Sequence, residues 1–110
     1  MTHEELKGHF EETLEDLKIL LLNTKSGEYA TKDDIFRNFQ QASQILRIPK
    51  EKVMLMYSMK HFISIMDIIE DLSLSDVPEK NKITEKFNDM IAYLILMKTS
   101  LLEKSINFYT

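Results

Sequence analysis

Six side chains in this sequence have the types and spacing to do chemistry together: Lys60 and His61, Asp67 and Asp71, Glu85 and Asp89. With successive helical residues turning by about 100°, Tyr57, Lys60, Ser64, Asp67 and Asp71 fall within roughly 80° of one another, one polar lane along the largely apolar stretch 51–71. A lysine in such a lane carries its stem to water, pairs with an acid such as Asp67, Glu85 or Asp89, or binds a substrate. His61 lies on another side of the helix, and Ile65 rather than a second histidine follows one turn on, so no zinc pair forms. Glu85 and Asp89 share a face as i and i+4. Together with Asp67 and Asp71 they could make a four-carboxylate cluster across two helices, suited to Mg²⁺, a hard cation that takes oxygen ligands. The plainer alternative is that these acids simply mark helix starts and ends. His3 and His9 have no metal-ligand companions, and there is neither a Gly-rich phosphate loop nor a G-x-S-x-G nucleophile turn.

The elements that must position these residues are helices. Thr2 followed by Glu5 reads as a capping box, and Leu6, Phe10, Leu14, Leu17 and Leu21 continue at three- and four-residue spacing to about residue 23. Glu4, Glu11, Glu12, Glu15 and Asp16 form the outward face of that helix, a solvated surface. Residues 23–34 concentrate turn formers and read as the main loop. Thr31, with Asp33 and Asp34 after it, caps a second helix over 32–47. Its apolar side is Ile35, Phe36, Phe39, Ala42, Ile45 and Leu46, with Asn38 and Gln41 on another flank. Pro49 opens a central helix over 49–71, so apolar that most of its circumference should be enclosed by protein. Pro78 marks a second loop. Thr84 or a residue near Pro78 then caps a last helix over 80–105, whose apolar stripe runs from Ile83 to Leu101.

The expected fold is therefore all-α, a single domain built as a bundle of four main helices. The second to fourth form its core, and the first packs across them or exchanges between subunits. The apolar excess at residues 19–22 and in the central helix predicts a homo-oligomer, dimer or higher. At 110 residues the chain can bury a core unaided, and its seven methionines make that core adaptable. The absence of cysteine excludes disulfides, thiolate metal sites and a cysteine nucleophile, and fits a reducing compartment. A formal net charge of -4 without a concentrated basic patch argues against nucleic acid as a partner. The N-terminus lacks the pattern of a secretory signal and no uncharged apolar run is long enough to span a membrane, so the expected location is the cytoplasm.

The segments KDDIFRNFQQASQIL, KHFISIMDII and TEKFNDMIAYLILMK resemble a group of small bacteriophage proteins of unassigned function. In that group an Asp and an Asn-Phe pair precede a Lys-His helix, and a Glu-x-x-x-Asp helix follows. The group in turn resembles the all-α nucleoside triphosphate pyrophosphohydrolases, the MazG-like and dimeric dUTPase-like superfamily. The resemblance covers about residues 31–102. It implies Mg²⁺ on Glu85 and Asp89 as the cofactor, and it matches Asn38, Lys60 and His61 to the phage group's own pattern. Where the enzymes carry a glutamate-rich helix this chain has Lys60, His61 and Ser64, keeping Asp67 and Asp71. A lysine in that place can contact a phosphate directly.

The expected function is that of a phage-encoded, MazG-like protein that binds or hydrolyses a nucleoside triphosphate, with Asn38, Lys60, His61 and Asp67 toward the substrate and Glu85 and Asp89 toward Mg²⁺. Two alternatives belong to other classes. One is a non-catalytic interaction protein that binds or inhibits a host factor. The other makes the same residues a purely structural ion-pair network.

Overall fold

The computed structural model describes residues 1–22, 35–74 and 76–109, with side chains to residue 106. Among them are four helices and no strand: α1 (His3–Leu22), α2 (Arg37–Leu46), α3 (Lys50–Glu70) and α4 (Lys80–Tyr109). The fold is all-α, as the apolar spacing predicts. The chain divides into two compact units, Met1–Ile35 and Phe36–Thr110.

In the first unit Thr2 caps α1 as expected, its Oγ1 accepting a hydrogen bond from the Glu5 backbone N–H at 3.1 Å. Lys7 with Glu11 at 4.0 Å and Lys18 with Glu15 at 3.2 Å pair across the exposed acidic face. Exposed pairs of this kind add little stability. The expected loop over 23–34 and the Thr31 cap lie outside the described residues.

The second unit is a bundle of α2, α3 and α4. Residues 35 and 36 form a turn, so α2 begins at Arg37, later than its apolar stripe implies. It ends in a left-handed cap at Arg47 (φ 57°, ψ 43°), whose N–H donates to the Ser43 carbonyl, while the Ser43 hydroxyl donates to the Ile48 carbonyl. Pro49 is the residue just before α3, and its carbonyl accepts from the N–H of Lys52 at 3.0 Å. Pro78 precedes α4, which opens with the Ile83 N–H donating to the Glu79 carbonyl at 3.1 Å. Thr84 lies inside this helix, one turn after its start, and so is not its cap.

The core of this unit is narrow. Val53, Met54, Ser58, Ile65 and Ile68 of α3, Ala92 and Ser100 of α4, and Phe36 before α2 are its buried residues. Two expectations are corrected here. The central helix α3 is covered on one side only: its buried residues fall on the side that meets α2 and α4, and large apolar residues elsewhere on it stay half exposed. The apolar stripe expected for α2 is split: Phe36, in the turn before the helix, is buried and Phe39 and Ala42 are half-buried, while Ile35 in the same turn and Ile45 and Leu46 on the helix are exposed. In both helices the apolar residues outnumber the neighbouring surface available to cover them. Among the described residues no helix is long and apolar enough to cross a membrane.

Candidate functional site

Helices α3 and α4 run antiparallel, since Glu51 near the start of α3 meets Ser100 and Lys104 late in α4, while His61 further along α3 meets Asp89 earlier in α4. The buried small residues Ser58, Ala92 and Ser100 let the two backbones approach. Ser58 satisfies its hydroxyl by donating to the Leu55 carbonyl at 2.7 Å, so it can be buried without an orphaned polar atom.

Halfway along this contact the sequence-predicted residues meet, in a pairing different from the expected one. His61 Nδ1 lies 3.6 Å from Asp89 Oδ2, with the two side chains 15% and 27% exposed. That separation is an ion-pair contact when the imidazole is protonated and is beyond hydrogen-bond length. Nδ1 is buried and makes no hydrogen bond. A small approach of the ring to Asp89 would satisfy it and set which ring nitrogen carries the proton. Tyr93, one turn after Asp89, places its ring 5.2 Å from the imidazole. Phe39 of α2 stands edge-on to Tyr93 at 6.0 Å and tilted against Tyr57 at 6.0 Å. The result is a row of aromatic rings from α2, α3 and α4 with a histidine and a carboxylate at one end.

The other predicted residues are arranged more loosely. Lys60 and Asp67 are exposed, and the Ser64 hydroxyl of the same polar lane donates to the Lys60 carbonyl at 3.1 Å. An exposed Lys60 can carry its ammonium to water and leaves it accessible to a ligand. Asn38 is exposed on α2, next to Phe39. Glu85 is exposed, with the Lys86 ammonium 4.0 Å away. Among the described residues no three acids, histidines or cysteines come close enough to hold a metal ion together, so the four-carboxylate cluster is not formed. Asp67 and Asp71 lie on a flank of α3 other than the one carrying His61, which keeps them away from Asp89. Glu85 and Asp89 remain as two carboxylates one turn apart. Mg²⁺ is commonly held by one or two carboxylates plus substrate phosphates and water, and this donor set fits that pattern.

Two features escaped the reading of the sequence. The aromatic row was partly legible, because Tyr93 is i+4 from Asp89 and so shares its face. The second feature had no local signal. Glu51, 12% exposed, accepts hydrogen bonds from the buried Ser100 hydroxyl and from Lys104, residues 49 and 53 positions away, and Lys50 lies 3.3 Å from the same carboxylate. Lys50 also stands 5.4 Å over the Phe36 ring, tying the start of α2 to the clamp. Burial works to raise the Glu51 carboxyl, but hydrogen bonds from Lys104 and Ser100, from its own backbone and from Lys50 outweigh it and hold the pKa at about 2 against an ordinary 4.5. This clamp is a structural tie between α3 and α4.

No family model matches the chain, and neither the curated proteins nor the solved structures contain a significant match to it.

Proposed function

We propose that this chain is a phage-encoded, MazG-like helical protein that binds a nucleoside triphosphate and acts as a homo-oligomer. The observation that carries the reading is the meeting of His61 and Asp89 at the end of the Phe39, Tyr57 and Tyr93 ring row. Aromatic faces accept any nucleobase by stacking. Lys60, adjacent to His61 in α3 and reaching water, supplies a mobile positive charge for phosphate oxygens. Mg²⁺ held by Glu85 and Asp89 would neutralise charge on the phosphates. A closer approach of Asp89 to the buried Nδ1 on ligand binding would orient the His61 ring, so that the imidazole donates to or accepts from the ligand at a defined nitrogen.

The test is to incubate the pure protein with each NTP and dNTP plus Mg²⁺, reading both thermal shift and release of nucleoside monophosphate. At least one nucleotide should raise the melting temperature. Asp89→Asn and Lys60→Ala, each still helical by circular dichroism, should weaken binding by about tenfold to a hundredfold, the loss expected for a charge-assisted contact. If no nucleotide shifts the protein and none is turned over, the reading fails.

A second reading, a non-catalytic protein that binds a host factor, is favoured by the outward apolar residues of α2, where Ile45 is 81% exposed beside Leu46. A pull-down from host lysate should then return a stoichiometric partner that Ile45→Glu releases. Recovery of no such partner would remove this reading.

A further inference from the structure

Helix α3 carries a second apolar stripe that the fold of its own unit leaves open. Leu55, Met59, Phe62, Met66 and Ile69 follow one another at spacings of four, three, four and three residues, the repeat of helices that pack lengthwise on another helix. Each is between 43% and 59% exposed. On α4 the residues Ile83, Phe87, Leu94 and Leu101 keep the same repeat and are likewise exposed, with the half-buried Met90 and Met97 filling the intermediate places.

The two stripes lie on one side of the pair. On α3 the stripe begins roughly a quarter turn round from Met54, Ser58 and Ile65, which are buried on the side toward α4, and on α4 it begins roughly a quarter to a third of a turn round from Asp89 and Ser100, which meet α3. The rotation has the same sense on both helices, and in an antiparallel pair equal senses bring both stripes to the same side. On α3 that is the side away from Tyr57, where α2 sits.

We propose that this side of the α3–α4 pair is where a second copy of the chain docks, lengthwise and helix against helix. Half-exposed side chains of these sizes present roughly 700–800 Å² of apolar surface per copy, more than the largest patch of a typical monomer. Two such faces together bury about 1,500 Å², the area of a standard stable interface. No charged residue interrupts either stripe, so the face is complementary to itself without pairing like charges. The proposal deepens the homo-oligomer of the preceding section and is independent of the nucleotide, because His61 and Asp89 lie on the α3–α4 contact and outside the stripes.

Sedimentation equilibrium without ligand tests it on the full chain. The wild type should behave as twice 13.0 kDa, and Phe62→Glu and Leu94→Glu should each shift it to 13.0 kDa, while Ile45→Glu on α2 leaves the dimer intact. If loss of the dimer also unfolds the chain, the wild-type melting temperature must rise with protein concentration, as linkage requires. A monomeric wild type, the stripes then being covered from within one chain, overturns the proposal. So does a dimer whose mass neither glutamate changes, or one that Ile45→Glu dissociates. A dimer without nucleotide binding, or nucleotide binding by a monomer, separates failure of one reading from failure of the other.

Discussion

Replacing Met54 by alanine should lower the unfolding free energy by about 3 kcal/mol, the loss expected when a fully buried methionine is truncated. The value combines the lost transfer of the thioether chain with the cavity left behind, which its neighbours on α3 and α4 can only partly close. Methionine is flexible enough to fill an irregular gap, and alanine is not. Urea unfolding at fixed protein concentration measures the loss, and the same experiment on Met59→Ala supplies the contrast. Met59 is half exposed within the stripe, so its truncation should matter only where a second copy covers it. The Met54 loss should persist on dilution, whereas the Met59 loss should fade. A Met54→Ala protein as stable as the wild type would mean that the core lies elsewhere.

Glu51→Gln should cost about 2 kcal/mol at pH 7, and the deficit should depend on pH in a definite direction. The folded carboxyl titrates at about 2 and an ordinary one at 4.5, so the folded state holds the charged form more strongly. Stability from this source is fully present above pH 4.5 and is lost as pH falls toward 2. The full shift would correspond to about 3.4 kcal/mol. Lys104 remains half exposed, and solvent screening of that partner brings the expected value down. Glutamine keeps the size of the side chain but removes the charge that Lys50 and Lys104 share. Urea unfolding of wild type and variant between pH 7 and pH 2 should show two stability curves that converge at the acid end. A constant separation across that range would show that the clamp does not act through its charge.

The extent of α1 and α3 and the start of α4 were legible from apolar spacing because each helix carries an apolar repeat several turns long, whereas α4 runs to Tyr109, four residues past its expected end at 105. The start of α2 was not legible, since Ile35 and Phe36 continue the apolar repeat while forming a turn. The sequence also overstated the enclosure of α3. An apolar side chain such as Phe62 or Met66 records that it avoids water, and says nothing of whether its cover comes from the same chain. At the candidate site the residue of α3 that lies beside Asp89 is His61 rather than Lys60, which lies about 100° away on the same helix. The choice between adjacent residues depends on the rotation of α3 against α4, which packing sets and periodicity does not. The Glu51 clamp was invisible for a related reason: an acid in the first turn of a helix already has a local explanation in the helix dipole.

Helix α4 is 30 residues long against 21 for α3, about 45 Å against about 32 Å at an ordinary rise per residue. The clamp at Lys104 stands five residues before the last residue of α4, so the final turn extends past the point where the two helices are tied. Amide hydrogens should therefore exchange with solvent along α4 in a graded way, slowest around Ala92 and Ser100 and fastest beyond Lys104. The turn beyond Lys104 is a handle on the clamp: a tag attached there would report the opening of the clamp without touching His61 or Asp89.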